Sequence, residues 1–234
     1  MENASSQNAA ASSAAKRDVV LFDLDGTLLN TYNAILSSLR YATEKVLGAP
    51  LPDKELTMRV GQPLKTQIEH FTDDPALQEE LLLVYRADNE NDLNKGISPF
   101  DGVRQMLDEL SLHGFRCGVV TSKRRAIALD SLEYFGLTEW IEQLVGLEDS
   151  ERHKPDPQPL QVGAQAMGAP LDECIYVGDS PYDIQAAHAA GIPSIGVTYG
   201  LFFSRDEVEQ ERPTLLVDSV DGIVAACESL RSNV

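Results

Sequence analysis

Val19-Val20-Leu21-Phe22-Asp23-Leu24-Asp25-Gly26-Thr27 is an apolar strand that runs straight into two carboxylates and a glycine turn. Side chains along a strand alternate with a period of two, so Asp23 and Asp25 begin on the same side. Gly26 lets backbone N–H groups come close to an anion. The pair reads as a nucleophile beside its own proton donor. Asp-Gly is also a common turn former, so the weight of this reading rests on the rest of the chain.

Further polar clusters follow apolar runs, each where a parallel strand would end. Arg116-Cys117-Gly118-Val119-Val120 leads into Thr121-Ser122-Lys123, and Cys174-Ile175-Tyr176-Val177 leads into Gly178-Asp179-Ser180-Pro181-Tyr182-Asp183. Between them lies Arg152-His153-Lys154-Pro155-Asp156-Pro157, a lysine in a proline-stiffened loop. Open parallel sheets bind ligands outside the carboxyl ends of their strands, so these clusters are expected to converge in space.

The order of these motifs resembles the haloacid dehalogenase-like superfamily, in its phosphatase branch with a helical cap inserted after the first motif. The resemblance runs from residue 18 to about residue 230. The family pattern is DxDGT, a Ser or Thr after a strand, a Lys in a KPxP-like loop, and GDxxxD. Here these are Asp23, Asp25, Gly26 and Thr27, then Thr121, then Lys154 with Pro155 and Pro157, then Gly178, Asp179 and Asp183.

The resemblance implies a phosphatase in which Asp23 attacks phosphorus to form an aspartyl-phosphate, while Asp25 protonates the departing oxygen and later takes a proton from water. It assigns Mg²⁺ contacts to the Asp23 carboxylate, the Asp25 backbone carbonyl and the Asp179 carboxylate. Asp183 would act through water or by holding Lys154. Charge argues in the same direction. Four aspartates in one crevice repel by roughly 4 kcal/mol per pair near 4 Å at intermediate dielectric, and hard oxygen ligands favour Mg²⁺. Phosphoryl oxygens would be met by Thr121, by the amides around Ser122 and those following Asp23, Gly26 among them, and by Lys154.

The expected activity is hydrolysis of a small phosphorylated metabolite, a phosphoglycolate-like monoester. An inorganic pyrophosphatase or a sugar-phosphate mutase of the same superfamily is the alternative, with a non-catalytic metabolite binder behind both. A dehalogenase would need neither Asp25 nor the metal cluster. The cap loop Gly61-Gln62-Pro63-Leu64 looks similar to those of phosphoglycolate phosphatases and pyrophosphatases, and Gln62, Lys65 and Tyr32 are expected to face the leaving group when the cap closes over it.

Composition fits this class. The chain has 234 residues, a formal charge of −18 and 43% hydrophobic residues. Its negative charge argues against nucleic acid or anionic lipid as a partner. No apolar stretch reaches the roughly 18 residues of a membrane span, and the N-terminus lacks the blocks of a secretory signal, so a cytoplasmic monomer or homodimer is expected. Cys117, Cys174 and Cys227 lie far apart in apolar patterns and read as buried hydrophobes. The four histidines show no metal-ligand spacing.

The fold class follows from alternation. Residues 1–17, almost free of apolar anchors, are expected to form a disordered tail. Ile35, Leu39, Ala42 and Val46 recur at helical spacing, as do Leu77, Leu81 and Val84. Val60-Gly61-Gln62-Pro63-Leu64-Lys65 breaks that periodicity as a loop would. Residues 31–96 thus read as an all-helical cap. Residues 18–30 and 97–234 read as an α/β core, a doubly wound, Rossmann-like parallel sheet in which helix and strand alternate. Thr121 and Asp183 also suit helix N-caps.

Overall fold

The computed structural model of the chain describes residues 16–91 and 94–231. The expected tail lies outside the described residues except for Lys16 and Arg17, and the Arg17 amide is docked, donating to the Arg231 carbonyl at 2.8 Å.

The strands in chain order are β1 (Val19–Phe22), β2 (Leu29–Asn30), β3 (Ser98–Pro99), β4 (Arg116–Val120), β5 (Ile141–Val145), β6 (Cys174–Gly178), β7 (Ser194–Val197) and β8 (Leu215–Val217). Six of them form one sheet in the order β5-β4-β1-β6-β7-β8, with every pairing parallel. The chain winds outward from β1 to one edge, returns to β6 on the other side of β1, and winds out to the other edge. Such a reversal leaves a crevice at the carboxyl end of the central strands, and β1, β4 and β6 are the strands that end in the polar clusters.

β1 is apolar throughout because both faces of the sheet are covered. Val20 and Phe22 pack on one side and Val19 and Leu21 on the other. The helices that cover the sheet come after an insertion made of α1 (Tyr32–Leu47), α2 (Asp53–Thr57), α3 (Leu64–Ile68) and α4 (Pro75–Asn91). They are α5 (Val103–Leu112), α6 (Arg125–Tyr134), α7 (Gln158–Ala166), α8 (Pro181–Ala190), α9 (Arg205–Gln210) and α10 (Gly222–Leu230). Residues of α5, α6 and α10 share a core with Val20 and Phe22, and residues of α7 and α8 share one with Val19 and Leu21.

The four inserted cap helices enclose a third apolar cluster. Ile35, Leu39, Leu56, Ile68 and Leu81 meet Ile184, Phe202 and Phe203 of the core there. β2 and β3 pair antiparallel, Asn30 with Ser98, where the chain leaves the core and returns. The expected loop over Val60–Lys65 is shorter in the structure, because Pro63, with its preset φ of −53°, starts α3 at Leu64. Lys65 is therefore helical. The buried cysteines are free, and burial pushes the Cys117 and Cys174 thiols up to about 12.

Candidate active site

The centre of the site is a buried ammonium. Lys154 Nζ donates to Asp23 Oδ1 at 2.7 Å, to Asp183 Oδ1 at 2.6 Å and to Tyr176 Oη at 3.1 Å. These three acceptors take up all three protons of the ammonium. The side chain is 1% exposed, so it sits behind Asp23 and has no proton left for a further acceptor in this arrangement. Tyr176 Oη lies 3.0 Å from the Val120 carbonyl and 3.1 Å from Asp183 Oδ1, and its single proton serves one of these at a time.

Asp183 is fully satisfied. Its Oδ1 faces Lys154, and its Oδ2 accepts from the Ser180 amide at 3.0 Å and the Ser180 hydroxyl at 2.6 Å. The N-cap of α8 is accordingly Ser180, with Asp183 as the reciprocal member of a capping box. Thr121 is not a cap either, since the residue preceding α6 is Arg124.

Asp179 is not satisfied. Its Oδ1 accepts from Thr27 Oγ1 at 3.2 Å, while Oδ2 is buried without a hydrogen-bond partner among the described residues. Asp23, Asp179 and Asp183 offer oxygens within 4.8 Å of one another. Space at the orphaned oxygen is kept open by two glycines. A Cβ on Gly26, whose φ is +88°, would lie 2.2 Å from Asp179 Oδ2, and one on Gly200 would lie 2.7 Å from it. An unpartnered buried carboxylate oxygen in a cradle free of side chains is what a hard cation requires, so these residues fit a metal ion.

Electrostatics points the same way. Burial pushes the Asp23 carboxyl up; Lys154 pulls it back and Asp183 raises it again, leaving it at about 7. Burial, then Asp183 and Asp23, hold Asp179 well above the usual carboxylate range. Burial alone would push Lys154 down, but the facing Asp183 and Asp23 carboxylates hold its ammonium well above the ordinary value.

Asp23 and Asp25 open into a cleft between core and cap, which Thr121, Ser122 and Lys123 line from the core and Gly61, Gln62 and Gln67 from the cap. Helix α4 adds Tyr85, Arg86, Asn89 and Glu90. Thr121 Oγ1 accepts from the Lys123 amide at 3.2 Å, which leaves its own proton to donate. The Ser122 hydroxyl donates to the Gly61 carbonyl at 2.6 Å and so ties this core loop to the cap. The Gly26 amide, expected to face phosphate, donates instead to the Leu29 carbonyl at 2.8 Å. The parallel bridge that closes the turn engages it. Of the amides that follow Asp23, those of Leu24 and Asp25 are the ones this turn leaves over.

Of the three expected cap residues, the structure brings Gln62 to the cleft, with its Oε1 buried and without a hydrogen-bond partner among the described residues. Lys65 lies on the outer side of α3, 75% exposed and 4.0 Å from Glu69. Tyr32 packs against Phe202 with the rings tilted, 5.4 Å between ring centroids, in a separate hollow. Sequence reasoning missed Tyr176, Lys123 and the α4 residues. A tyrosine inside an otherwise apolar strand was a usable signal, because a buried hydroxyl needs partners. Lys123 Nζ pairs with Asp25 Oδ1 at 2.7 Å, and its place two residues after Thr121 was the corresponding hint.

A family model described as haloacid dehalogenase-like hydrolase matches residues 20–197. The chain belongs to this family. Pyrophosphatase PpaX of Halalkalibacterium halodurans is 34% identical over 207 residues, 88% of this chain and 95% of its own. The crystal structure of a Clostridium acetobutylicum protein described as a predicted phosphatase superposes with a TM-score of 0.83 at 29% identity, covering 92% of this chain and 100% of that one. A Haemophilus somnus protein described as a predicted phosphoglycolate phosphatase shares the fold, with a TM-score of 0.81 at 23% identity over 89% of this chain and 97% of its own.

Family and carboxylate cluster together make the chain a hydrolase of the phosphatase kind, with its pocket at the cap and core junction. Among the described residues, no helix is long and apolar enough to cross a membrane.

Proposed function

We propose that the chain is a Mg²⁺-dependent phosphohydrolase that works through an aspartyl-phosphate on Asp23, with inorganic pyrophosphate as its substrate. The observation that carries the chemistry is the Asp23 carboxylate, held on one oxygen by Lys154 and clustered within 4.8 Å with a carboxylate oxygen of Asp179, whose Oδ2 has no partner among the described residues. Relatives named as pyrophosphatases, 29 to 34% identical over nearly the whole chain, support pyrophosphate. Three structures with phosphoglycolate phosphatase in their description are 18 to 23% identical and speak only to the fold. Pyrophosphate therefore takes precedence over the phosphoglycolate-like monoester.

Asp23 and Asp179, with the Asp25 main chain, would hold Mg²⁺, which supplies positive charge to the phosphoryl oxygens and relieves the carboxylate repulsion. Asp183 is left out of that set because both of its oxygens already accept from Lys154 and Ser180. Lys154 fixes the rotation of the Asp23 carboxylate so that an oxygen points at phosphorus in line with the leaving group. As the P–O bond to the leaving group breaks, Asp25 gives that oxygen its proton. A water molecule then attacks the aspartyl-phosphate, Asp25 takes the water's proton, and Asp23 is regenerated with release of orthophosphate. Thr121 Oγ1 donates to the phosphoryl oxygens as charge spreads over them. The cap, tied down through Ser122 and Gly61, keeps bulk water from the first step.

The test is phosphate release from pyrophosphate and from phosphoglycolate, each with Mg²⁺ and with a chelator. Mg²⁺-dependent turnover of pyrophosphate, lost in Asp23→Asn, is expected. Turnover that survives Asp23→Asn removes the nucleophile, and a tenfold or greater preference for phosphoglycolate, on the order of 1.4 kcal/mol, removes pyrophosphate as the substrate.

A further inference from the structure

We propose that Lys123 and Arg86 form a subsite for a second anionic group on the leaving side of the scissile bond, which restricts the substrate class to phosphoryl donors whose leaving group is itself an anion. The proposal rests on the reading of Asp23 as nucleophile and Asp25 as acid.

Three cations line the cleft, and they are not equivalent. Arg124 is neutralised by Glu90. Lys123 is paired with Asp25 at 2.7 Å, with its side chain 12% exposed. Arg86, on α4 and half-buried, has no ion pair or hydrogen bond among the described residues, although the chain around it carries a formal charge of −18. A guanidinium left without a counter-charge on the wall of a reaction cleft in so acidic a protein has its partner in the ligand.

The side of the cleft follows from Asp25. The group that protonates the leaving oxygen stands on the leaving side, and Lys123 is hydrogen-bonded to that group. Lys154 and the three-carboxylate cluster serve the opposite, transferring side. Lys123 and Arg86 line the same cleft, and both face the departing group there. Two of the three ammonium protons of Lys123 are free to move to an anion there, since Asp25 is its one side-chain partner among the described residues. Asn89 and Gln62 add neutral amides to the same wall. The departing phosphate of pyrophosphate satisfies this arrangement, as does the carboxylate of a phosphorylated hydroxy acid. A sugar or aryl leaving group would leave the Arg86 guanidinium without a counter-charge.

The experiment compares the wild-type protein with Arg86→Gln and Lys123→Gln on pyrophosphate, phosphoglycolate and p-nitrophenyl phosphate, whose leaving group has no second anion. It also measures calorimetric binding of imidodiphosphate in Mg²⁺. The kcat/KM ratio of pyrophosphate to p-nitrophenyl phosphate is expected to fall about 10- to 100-fold in Arg86→Gln, the range for a lost hydrogen bond to a charged group. Imidodiphosphate affinity is expected to fall with it. Lys123→Gln lowers the same ratio and lowers all three rates as well, because it also touches Asp25. If the wild-type protein favours phosphoglycolate over pyrophosphate, the substrate named above fails, yet the subsite stands when Arg86→Gln lowers the phosphoglycolate ratio. A wild-type preference for p-nitrophenyl phosphate, or an unchanged ratio in Arg86→Gln, overturns the subsite. Unchanged imidodiphosphate affinity in that variant overturns it whether or not turnover is seen.

Discussion

Replacing Tyr176 by Phe removes one oxygen atom and isolates what the buried hydroxyl does. Tyr176 is fully buried in strand β6, and its ring keeps the same packing in Phe. The hydroxyl accepts from Lys154 at 3.1 Å and lies 3.0 Å from the carbonyl of Val120, the residue before Thr121. Its loss leaves one N–H of a buried ammonium without an acceptor. Hydrogen bonds to charged groups contribute about 1.5–3 kcal/mol, and an orphaned buried donor costs its desolvation in full. A stability loss of about 2 kcal/mol is therefore expected in urea melts at neutral pH. The kinetic effect follows from geometry. With two acceptors in place of three, the ammonium can tilt, and the Asp23 carboxylate it holds tilts with it. A change of about 1.4 kcal/mol in the barrier lowers kcat about tenfold, with KM little changed because no substrate contact is touched. Lys154 gives a direct readout, since its side-chain ammonium resonance, assigned by its loss in Lys154→Arg, should exchange with solvent faster in Tyr176→Phe. A variant that keeps wild-type stability and kcat refutes the claim that the hydroxyl positions Lys154.

Three further outcomes are expected. Without a bound ion, Asp23, at about 7, and Asp179 hold protons more tightly in the folded protein than in the unfolded chain, where the ordinary value is 3.8. The stability this confers is present below that ordinary value and is lost as the pH rises through about 7. Mg²⁺ needs these carboxylates ionised, so its uptake near pH 6 should release protons and tighten as pH rises. Calorimetric enthalpies equal in two buffers of different ionisation enthalpy would contradict this. Gly26→Ala drives a Cβ to within 2.2 Å of Asp179 Oδ2 at a φ of +88°. It should abolish both turnover and the rise in Tm expected of the wild-type protein in saturating Mg²⁺, and retention of that rise would show the cradle is not the ion site. Lys65→Ala, on the outer side of α3, should leave kcat/KM on pyrophosphate within about twofold, as surface changes generally do. A larger loss would return Lys65 to the substrate.

What could be read in the sequence and what could not divide along a physical line. The carboxylate-bearing strand ends were legible, because an apolar run that stops at Asp23 or Asp179 says both that a strand is buried on two faces and where it meets a crevice. The helices of α1 and α4 were legible for the same reason, their apolar spacing being a local property. Partners chosen across the fold were not legible. Lys154 reads as a phosphate ligand until the structure shows Asp23, Asp183 and Tyr176 taking all three of its protons. The Gly26 amide reads as an anion donor until the Leu29 carbonyl is found to engage it. Lys65 reads as a cleft residue only while Val60–Lys65 is a loop; once Pro63 starts a helix with Leu64 on the cleft, the next residue, Lys65, is rotated to the outside. In each case sequence names the group, and the count of its hydrogen-bonding valences, which only three-dimensional neighbours can fill, decides what it is free to do. Arg86 is the converse. Nothing local distinguishes it from any helical arginine, and it stands out only after every other cation in the cleft has been matched to a carboxylate. The groups most informative about substrate are then those whose valences the fold leaves open: Asp179 Oδ2 for a cation, and Arg86, joined by the two remaining protons of Lys123, for an anion. A compact phosphoric anhydride brought in with its divalent ion supplies both at once.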